Sequence, residues 1–152
     1  MTMKIGVISD THGLLRPEVL AELASCDSIL HAGDIGAPET LDALRSIAPV
    51  YAVRGNNDKE WAEPLPSSLA FSIAGVRFLM VHDRKDLPAD LGAADVVVFG
   101  HSHRYSEQRI DGRLWLNPGS CGRRRFDREI SFATLSIDAG NCWVRKITLP
   151  RA

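Results

Sequence analysis

Cysteine is scarce in this chain: Cys26, Cys121 and Cys142 are the only three in 152 residues, far apart and in no Cys-x-x-Cys pattern. That argues against a disulfide framework or a thiolate metal site, and the three read as reduced, buried or incidental thiols of a cytoplasmic protein. Aromatic residues make up only 7%, so no stacking platform for bases is apparent. Neither sign of charge dominates: the formal net charge is −1, which gives no general pull toward nucleic acid or an acidic membrane. No apolar run approaches the roughly 18 residues that suggest a membrane span. The opening MTMKIGVISD enters a strand at once and lacks the apolar region and cleavage site of a signal peptide. With 45% hydrophobic and 24% charged residues, the chain reads as one ordinary domain over residues 1–152. A domain of this size buries about 68–70% of its unfolded surface.

The first half alternates strand and helix. Ile5–Ser9 reads as a strand, and Arg16–Ser25 as a helix with Val19, Leu20 and Leu23 at helical spacing and Pro17 suited to its first turn. Strand Ser28–Ala32 and helix Pro38–Ile47 follow, then strand Val50–Arg54 after Pro49. This βαβαβ order predicts parallel pairing with right-handed crossovers. In the second half, Leu69–Ile73 and Val76–Val81 flank the Ala74-Gly75 turn. Leu87–Ala94 is expected to be a short helix before strand Asp95–Phe99. Tyr105–Ile110 and Arg113–Leu116 flank Asp111-Gly112, a strong hairpin signal, and Phe132–Ile137 pairs with Cys142–Leu149. Half βαβ and half meander predicts an α/β (mixed α+β) domain, two packed sheets with helices outside.

Five of the apolar runs end in residues able to hold a metal. Asp10-Thr11-His12 follows the first and Gly33-Asp34 the second; Gly55-Asn56-Asn57-Asp58 follows the third. His82 ends FLMV, and Gly100-His101-Ser102-His103 ends DVVVF. Ligands gather outside the carboxyl ends of strands in layered sheets, so one rim is expected to collect all of them. Residues two apart on extended backbone point to the same side, so each of Asp10/His12 and His101/His103 could share a metal. The chain has five histidines and four sit at these ends, a coincidence the bland reading would have to accept. Seven donors (Asp10, His12, Asp34, Asn56, His82, His101 and His103) exceed one tetrahedral zinc. They suit two cations roughly 3.5–4 Å apart. Oxygen and imidazole ligation favours Mn, Fe, Co, Ni or Zn over Ca.

In that order the motifs D-x-H, G-D, G-N-x-D, a lone H and G-H-x-H resemble the calcineurin-like metallophosphoesterase superfamily. The opening MKIGVISDTHG, the stretch ILHAGD and Asn117-Pro118-Gly119-Ser120 resemble its small prokaryotic phosphodiesterase branch. The resemblance implies a four-layer αββα sandwich of two mixed sheets flanked by helices. It implies Asp10, His12 and His103 on a first metal, and Asn56, His82 and His101 on a second, with Asp34 bridging. Two divalent ions, manganese first and nickel, iron, cobalt or zinc as alternatives, would activate a bridging hydroxide that attacks phosphorus in line. Asn56 and Asn57 occupy the catalytic positions, Asn56 also touching a phosphate oxygen.

Asn57 departs from the superfamily pattern, in which a His at this position protonates the leaving oxygen. An amide cannot do so near neutral pH, which favours phosphodiesters or good leaving groups. Asp83 departs too, standing where a Gly often follows the lone His; it is expected either to orient His82 or to face water. His31, three residues before Asp34, is expected to be a core histidine or one that supports a ligand, not a ligand itself; Trp61 is expected to be a loop anchor within Asp58–Pro66, and Asn117–Ser120 a supporting turn. Arg54 either reaches a phosphate or makes a surface ion pair, and the run Arg123–Arg128 is the one concentrated basic patch. The function expected is a metal-dependent phosphodiesterase acting on a small phosphoester. Alternatives are a phosphomonoesterase, or a catalytically weak binding protein like the scaffold subunit of the retromer coat. A neutral chain offers little grip on a nucleic acid, and homo-oligomerisation stays open.

Overall fold

The computed structural model describes residues 2–123 and 128–150. Their elements are β1 (Met3–Ile8), α1 (Pro17–Leu23), β2 (Ser28–His31), α2 (Pro38–Arg45), β3 (Val50–Ala52), β4 (Ser68–Ile73), β5 (Val76–Val81), β6 (Val96–Val98), β7 (Ser106–Ile110), β8 (Arg113–Asn117), β9 (Ile130–Asp138) and β10 (Asn141–Leu149). They form two five-stranded mixed sheets, in the orders β10-β9-β1-β2-β3 and β4-β5-β6-β8-β7. In the first sheet β1, β2 and β3 are parallel, with Ile5 beside Ser28 and Ile29 beside Val50. The C-terminal hairpin closes the other side of β1 antiparallel, Ile5 opposite Leu135. In the second sheet β5, β6 and β8 are parallel, and β4 and β7 are antiparallel edges.

The alternation of side chains on each strand builds the layers. Ile5, Val7 and Leu30 from the first sheet meet Phe78, Met80, Val96 and Leu116 from the second in the central core. The other face of the first sheet, through Ile8, Ile29 and Phe132, is covered by Val19 and Leu23 of α1 and Leu44 of α2. Each helix starts with its Pro at the first position, following an extended residue, Arg16 or Ala37.

The outer face of the second sheet is covered differently from the sequence expectation. Residues 87–94 form no helix: a single 3-10 turn spans Arg84–Asp86, and the chain then runs irregularly to β6. Pro88 drives Leu87 to an extended conformation (φ −67°, ψ 141°), and Gly92, held by the Asp90 carboxylate at 2.8 Å, adopts φ +61°. Leu87, Leu91 and Ala94 nevertheless pack on Val81, Val97 and Phe99, so the fourth layer is present as irregular chain.

Candidate metal centre

The five parallel strands that lead to these residues all stop before them, β5 at Val81 directly ahead of His82. β1 ends at Ile8, β2 at His31, β3 at Ala52 and β6 at Val98. The residues beyond are not extended, which corrects the geometric argument made from Asp-x-His and His-x-His. Asp10, His12, Asp34, His101 and His103 all have positive φ, between 47° and 72°. That region is uncommon for any residue but glycine and is held by the surrounding structure.

Here the hold is a set of loop-to-loop hydrogen bonds. The N–H groups of Asp10, His12 and Gly13 donate to the carbonyls of Gly33, Asp34 and Ile35 at 3.0, 3.0 and 2.8 Å. The buried Asp58 carboxylate accepts from Ile35, Gly36 and Gly55 N–H at 3.2, 3.0 and 3.0 Å, tying the Asp34 loop to the Asn56 loop. Gly100 N–H donates to the His82 carbonyl at 2.8 Å, and His101 N–H reaches Asp10 Oδ2 at 3.2 Å. Asn117 Nδ2 donates to the Gly100 carbonyl, and Ser120 Oγ to the Asp10 carbonyl, so the Asn117–Ser120 turn supports both loops as expected. Two glycines are required by space: a Cβ on Gly55 would lie 2.2 Å from Asp34 Oδ1, and one on Gly100 2.1 Å from Ser9 Oγ.

Within this frame the side chains converge in two overlapping groups. Asp10, His12 and His103 form one, Asp10, Asp34 and His82 the other, with ligand atoms within 4.8 Å of one another in each. Asp10 Oδ1 faces three imidazole Nε2 atoms, of His103 at 3.3 Å and of His12 and His82 at 3.8 Å. Asp34 Oδ2 lies 3.2 Å from His82 Nε2 and 3.7 Å from His12 Nε2. His101 belongs to neither group, but its Nδ1 approaches His82 Nε2 at 3.3 Å. Asn56 is exposed, and with Arg54, Ser67, Lys85, His82 and His101 it lines a cleft of about 370 Å3.

The donor chemistry fits a cation. Asp10 Oδ1 is buried and accepts no hydrogen bond from any described residue, an arrangement costly for a carboxylate unless something positive sits before it. Burial alone would raise the Asp10 carboxyl, but the His103 and His82 imidazoles and the Ser9 hydroxyl outweigh it and hold it below the ordinary value. Asp34 is likewise well below the usual carboxylate range: burial opposes, while His82 and two hydrogen bonds from Asn57 prevail. Burial would lower His82, but Asp34 and Asp10 and the Ala32 carbonyl raise it. That carbonyl accepts from Nδ1 at 2.7 Å, so Nδ1 carries a proton and Nε2 is the atom turned to the two carboxylates.

The remaining predicted residues fall as follows. His31 is fully buried; Nδ1 accepts from Gly33 N–H at 3.1 Å, and Nε2 donates to Thr11 Oγ1 at 2.9 Å. Burial pushes its pKa down to about 4, so it is a neutral core histidine, as its spacing implied. Trp61 packs on the Ile35, Leu41 and Ala52 cluster as an anchor. Asp83 turns away from His82 to neither expected place: its Oδ2 lies 3.6 Å from His101 Nε2. Within the basic run, residues 124–127 lie outside the described residues, and Arg128 Nη1 donates to the Ser102 carbonyl. Burial raises both Cys26 and Cys121, the latter to about 12, so these two thiols are unreactive. Sequence reasoning missed the structural part of Asp58; a buried carboxylate with three amide donors has no linear signature beyond its place in Gly-Asn-x-Asp.

A two-sheet sandwich whose parallel strands all open onto one rim of carboxylates and imidazoles is the architecture of metallophosphoesterases. The chain belongs to the calcineurin-like phosphoesterase superfamily, whose domain it matches over residues 3–140. It is 35% identical over 133 residues to a probable metallophosphoesterase of Methanothermobacter thermautotrophicus, covering 78% of this chain and 77% of that protein. It is 27% identical over 141 residues to the phosphodiesterase MJ0936 of Methanocaldococcus jannaschii, covering 78% and 84%. Among solved structures it shares the fold of Chaetomium thermophilum Vps29, with TM-score 0.77, 22% identity and coverage of 99% and 100%.

Proposed function

We propose that this phosphoesterase is a phosphodiesterase working with two divalent transition-metal ions, manganese first and nickel, iron, cobalt or zinc as alternatives. The observation that carries the reading is the pair of overlapping ligand groups joined at Asp10, with Asp34 Oδ2 facing both His12 and His82. Asp10, His12 and His103 would hold the first ion. Asn56, His82 and His101 would hold the second, with Asp34 between. When bound, such a pair supplies a hydroxide nucleophile at neutral pH and neutralises charge on the phosphoryl oxygens.

The chain's own residues do the rest. Buried, ionised Asp10 and Asp34 supply negative charge for the cations, and the Nδ1–H of His82 fixes its ring. The exposed Asn56 amide binds a phosphate oxygen in the cleft. Asn57 donates its backbone N–H and one amide N–H to Asp34, and an amide has no acidic proton to give a leaving alkoxide. That favours diesters and good leaving groups over ordinary monoesters. A small phosphoester suits the cleft, and no described helix is long and apolar enough to cross a membrane. We place its action in the cytoplasm.

The test is hydrolysis of bis-p-nitrophenyl phosphate beside p-nitrophenyl phosphate, using metal-stripped chain refilled with Mn, Ni, Zn or Mg. Metal-dependent cleavage of the diester, weak on the monoester and lost in Asp34→Ala and His101→Ala, is expected. A monoester preference sinks the specificity argument, and no turnover with any metal transfers the weight to a scaffold role.

A further inference from the structure

His101 is the least constrained of the rim histidines. His82 is pinned through Nδ1 by a carbonyl at 2.7 Å and is almost fully buried, whereas the His101 side chain is 45% exposed. Its ring meets His82 edge-on, at 83°, with Nδ1 turned inward to His82 Nε2. On the outer side, Nε2 faces one carboxylate, Asp83 Oδ2 at 3.6 Å.

Asp83 is itself unusually well fixed. It caps the 3-10 turn Arg84–Asp86, its Oδ1 accepting from Lys85 N–H at 3.1 Å. The next residue, Arg84, lays its guanidinium over the Trp115 ring at 4.7 Å and the Phe99 ring at 5.5 Å. With Oδ1 engaged in the cap, Oδ2 is left for His101 and for Lys85 Nζ, also at 3.6 Å, whose side chain is 79% exposed. A solvated lysine is a weak competitor.

We infer that Asp83 is the positioning residue for His101: one carboxylate oxygen caps the backbone turn while the other keeps the proton on Nε2 and presents Nδ1 to the second cation. This rests on the two-metal reading above. A carboxylate behind a ligating imidazole fixes its tautomer and ring plane and raises its basicity, and losing it typically costs about 10–100-fold in metal affinity. The position at which the superfamily pattern often has Gly thereby acquires a task in this chain.

A role as cap alone is separable, because Ser and Asn cap a turn as well as Asp does. The experiment titrates Mn and Zn into the metal-stripped full-length protein against a chromophoric chelator, comparing wild type, Asp83→Ser and Asp83→Asn. Asp83→Ser keeps the cap and removes the reach to His101; Asp83→Asn keeps the cap with its one amide oxygen and turns an N–H donor toward His101 Nε2. The weaker of two bound ions is expected to lose roughly 10–100-fold in affinity in both Asp83→Ser and Asp83→Asn. The tighter ion and the metal-free melting temperature should be unchanged. Long-range proton–nitrogen NMR of the Zn-loaded wild type should show the His101 proton on Nε2. Two ions bound with wild-type affinity by Asp83→Ser would overturn this inference alone; a wild type that binds fewer than two ions would overturn both it and the two-metal reading. If Asp83→Ser proves unfolded, Asp83→Asn decides: wild-type affinity with the His101 proton still on Nε2 would sink the assignment.

Discussion

Asn57 grips both oxygens of Asp34: its backbone N–H donates to Oδ1 at 2.9 Å, and its side-chain amide donates to Oδ2 at 3.0 Å. The same Oδ2 is the atom that faces His12 and His82. The residue standing where the superfamily places a proton donor is thus a clamp on a carboxylate.

Asn57→Ala removes one of the two bonds. Loss of a hydrogen bond to a charged acceptor at an exposed position should cost about 1 kcal/mol in urea unfolding of metal-free protein. Diester turnover should fall by roughly tenfold as Asp34 loosens. Asn57→Asp is near-isosteric but sets an acceptor against an acceptor, so in the metal-free state it should be less stable than Asn57→Ala. Equal stability of the two variants would show that the side-chain bond does not form in solution.

Gly100→Ala tests the close packing behind the rim. The new methyl would stand 2.1 Å from Ser9 Oγ and 2.8 Å from Asp10 Oδ2. Overpacking of this kind costs about 1–3 kcal/mol, and here the yielding atoms include Asp10. Both the melting temperature and metal-dependent turnover should drop together. A variant that melts lower but turns over at the wild-type rate would separate Asp10 from the clash.

His31 makes stability depend on acidity. Its folded pKa of about 4 is below the ordinary 6.5, so the unfolded chain takes up a proton that the folded chain refuses. The stabilisation is therefore complete above about pH 6.5 and is lost as pH falls toward 4, with a slope of up to about 1.4 kcal/mol per pH unit. Comparing metal-free wild type with His31→Gln by urea midpoint across this window should give a flatter slope for the variant. Parallel curves would mean His31 is protonated or solvated in the folded state.

Metal loading should stabilise the fold, since the site is built from five separate loops that come together only when folded. At a free metal concentration a hundred times the dissociation constant the gain is about 2.7 kcal/mol, a rise in melting temperature of roughly 5–10 °C. Asp10→Ala, which removes the oxygen common to both groups, should abolish more of that rise than His101→Ala. Scanning calorimetry with and without chelator measures both.

The strands, the two-sheet sandwich and the rim on which the polar residues meet could be read from short Val- and Ile-rich runs and what followed each. His31 could be read as structural because strand alternation is a local property. The left-handed conformations of Asp10, His12, Asp34, His101 and His103 could not, because they are imposed by bonds between loops such as His12 N–H to the Asp34 carbonyl. Leu87–Ala94 misled because its apolar spacing is real and is used, but Pro88 and Gly92 deliver it without helical backbone. The Asp83–His101 and Asn57–Asp34 pairs span 18 and 23 positions, and nothing in either residue's neighbours announces its partner.

The left-handed residues bear on any attempt to transplant this centre. Copying Asp10, His12, Asp34, His101 and His103 onto ordinary strand ends of another scaffold would aim each of them elsewhere, since in this chain their direction comes from backbone that turns against its usual preference. The portable unit is the braid of loops itself, Asp58 and the Gly33, Asp34 and Ile35 carbonyls included, with the ligands as its passengers.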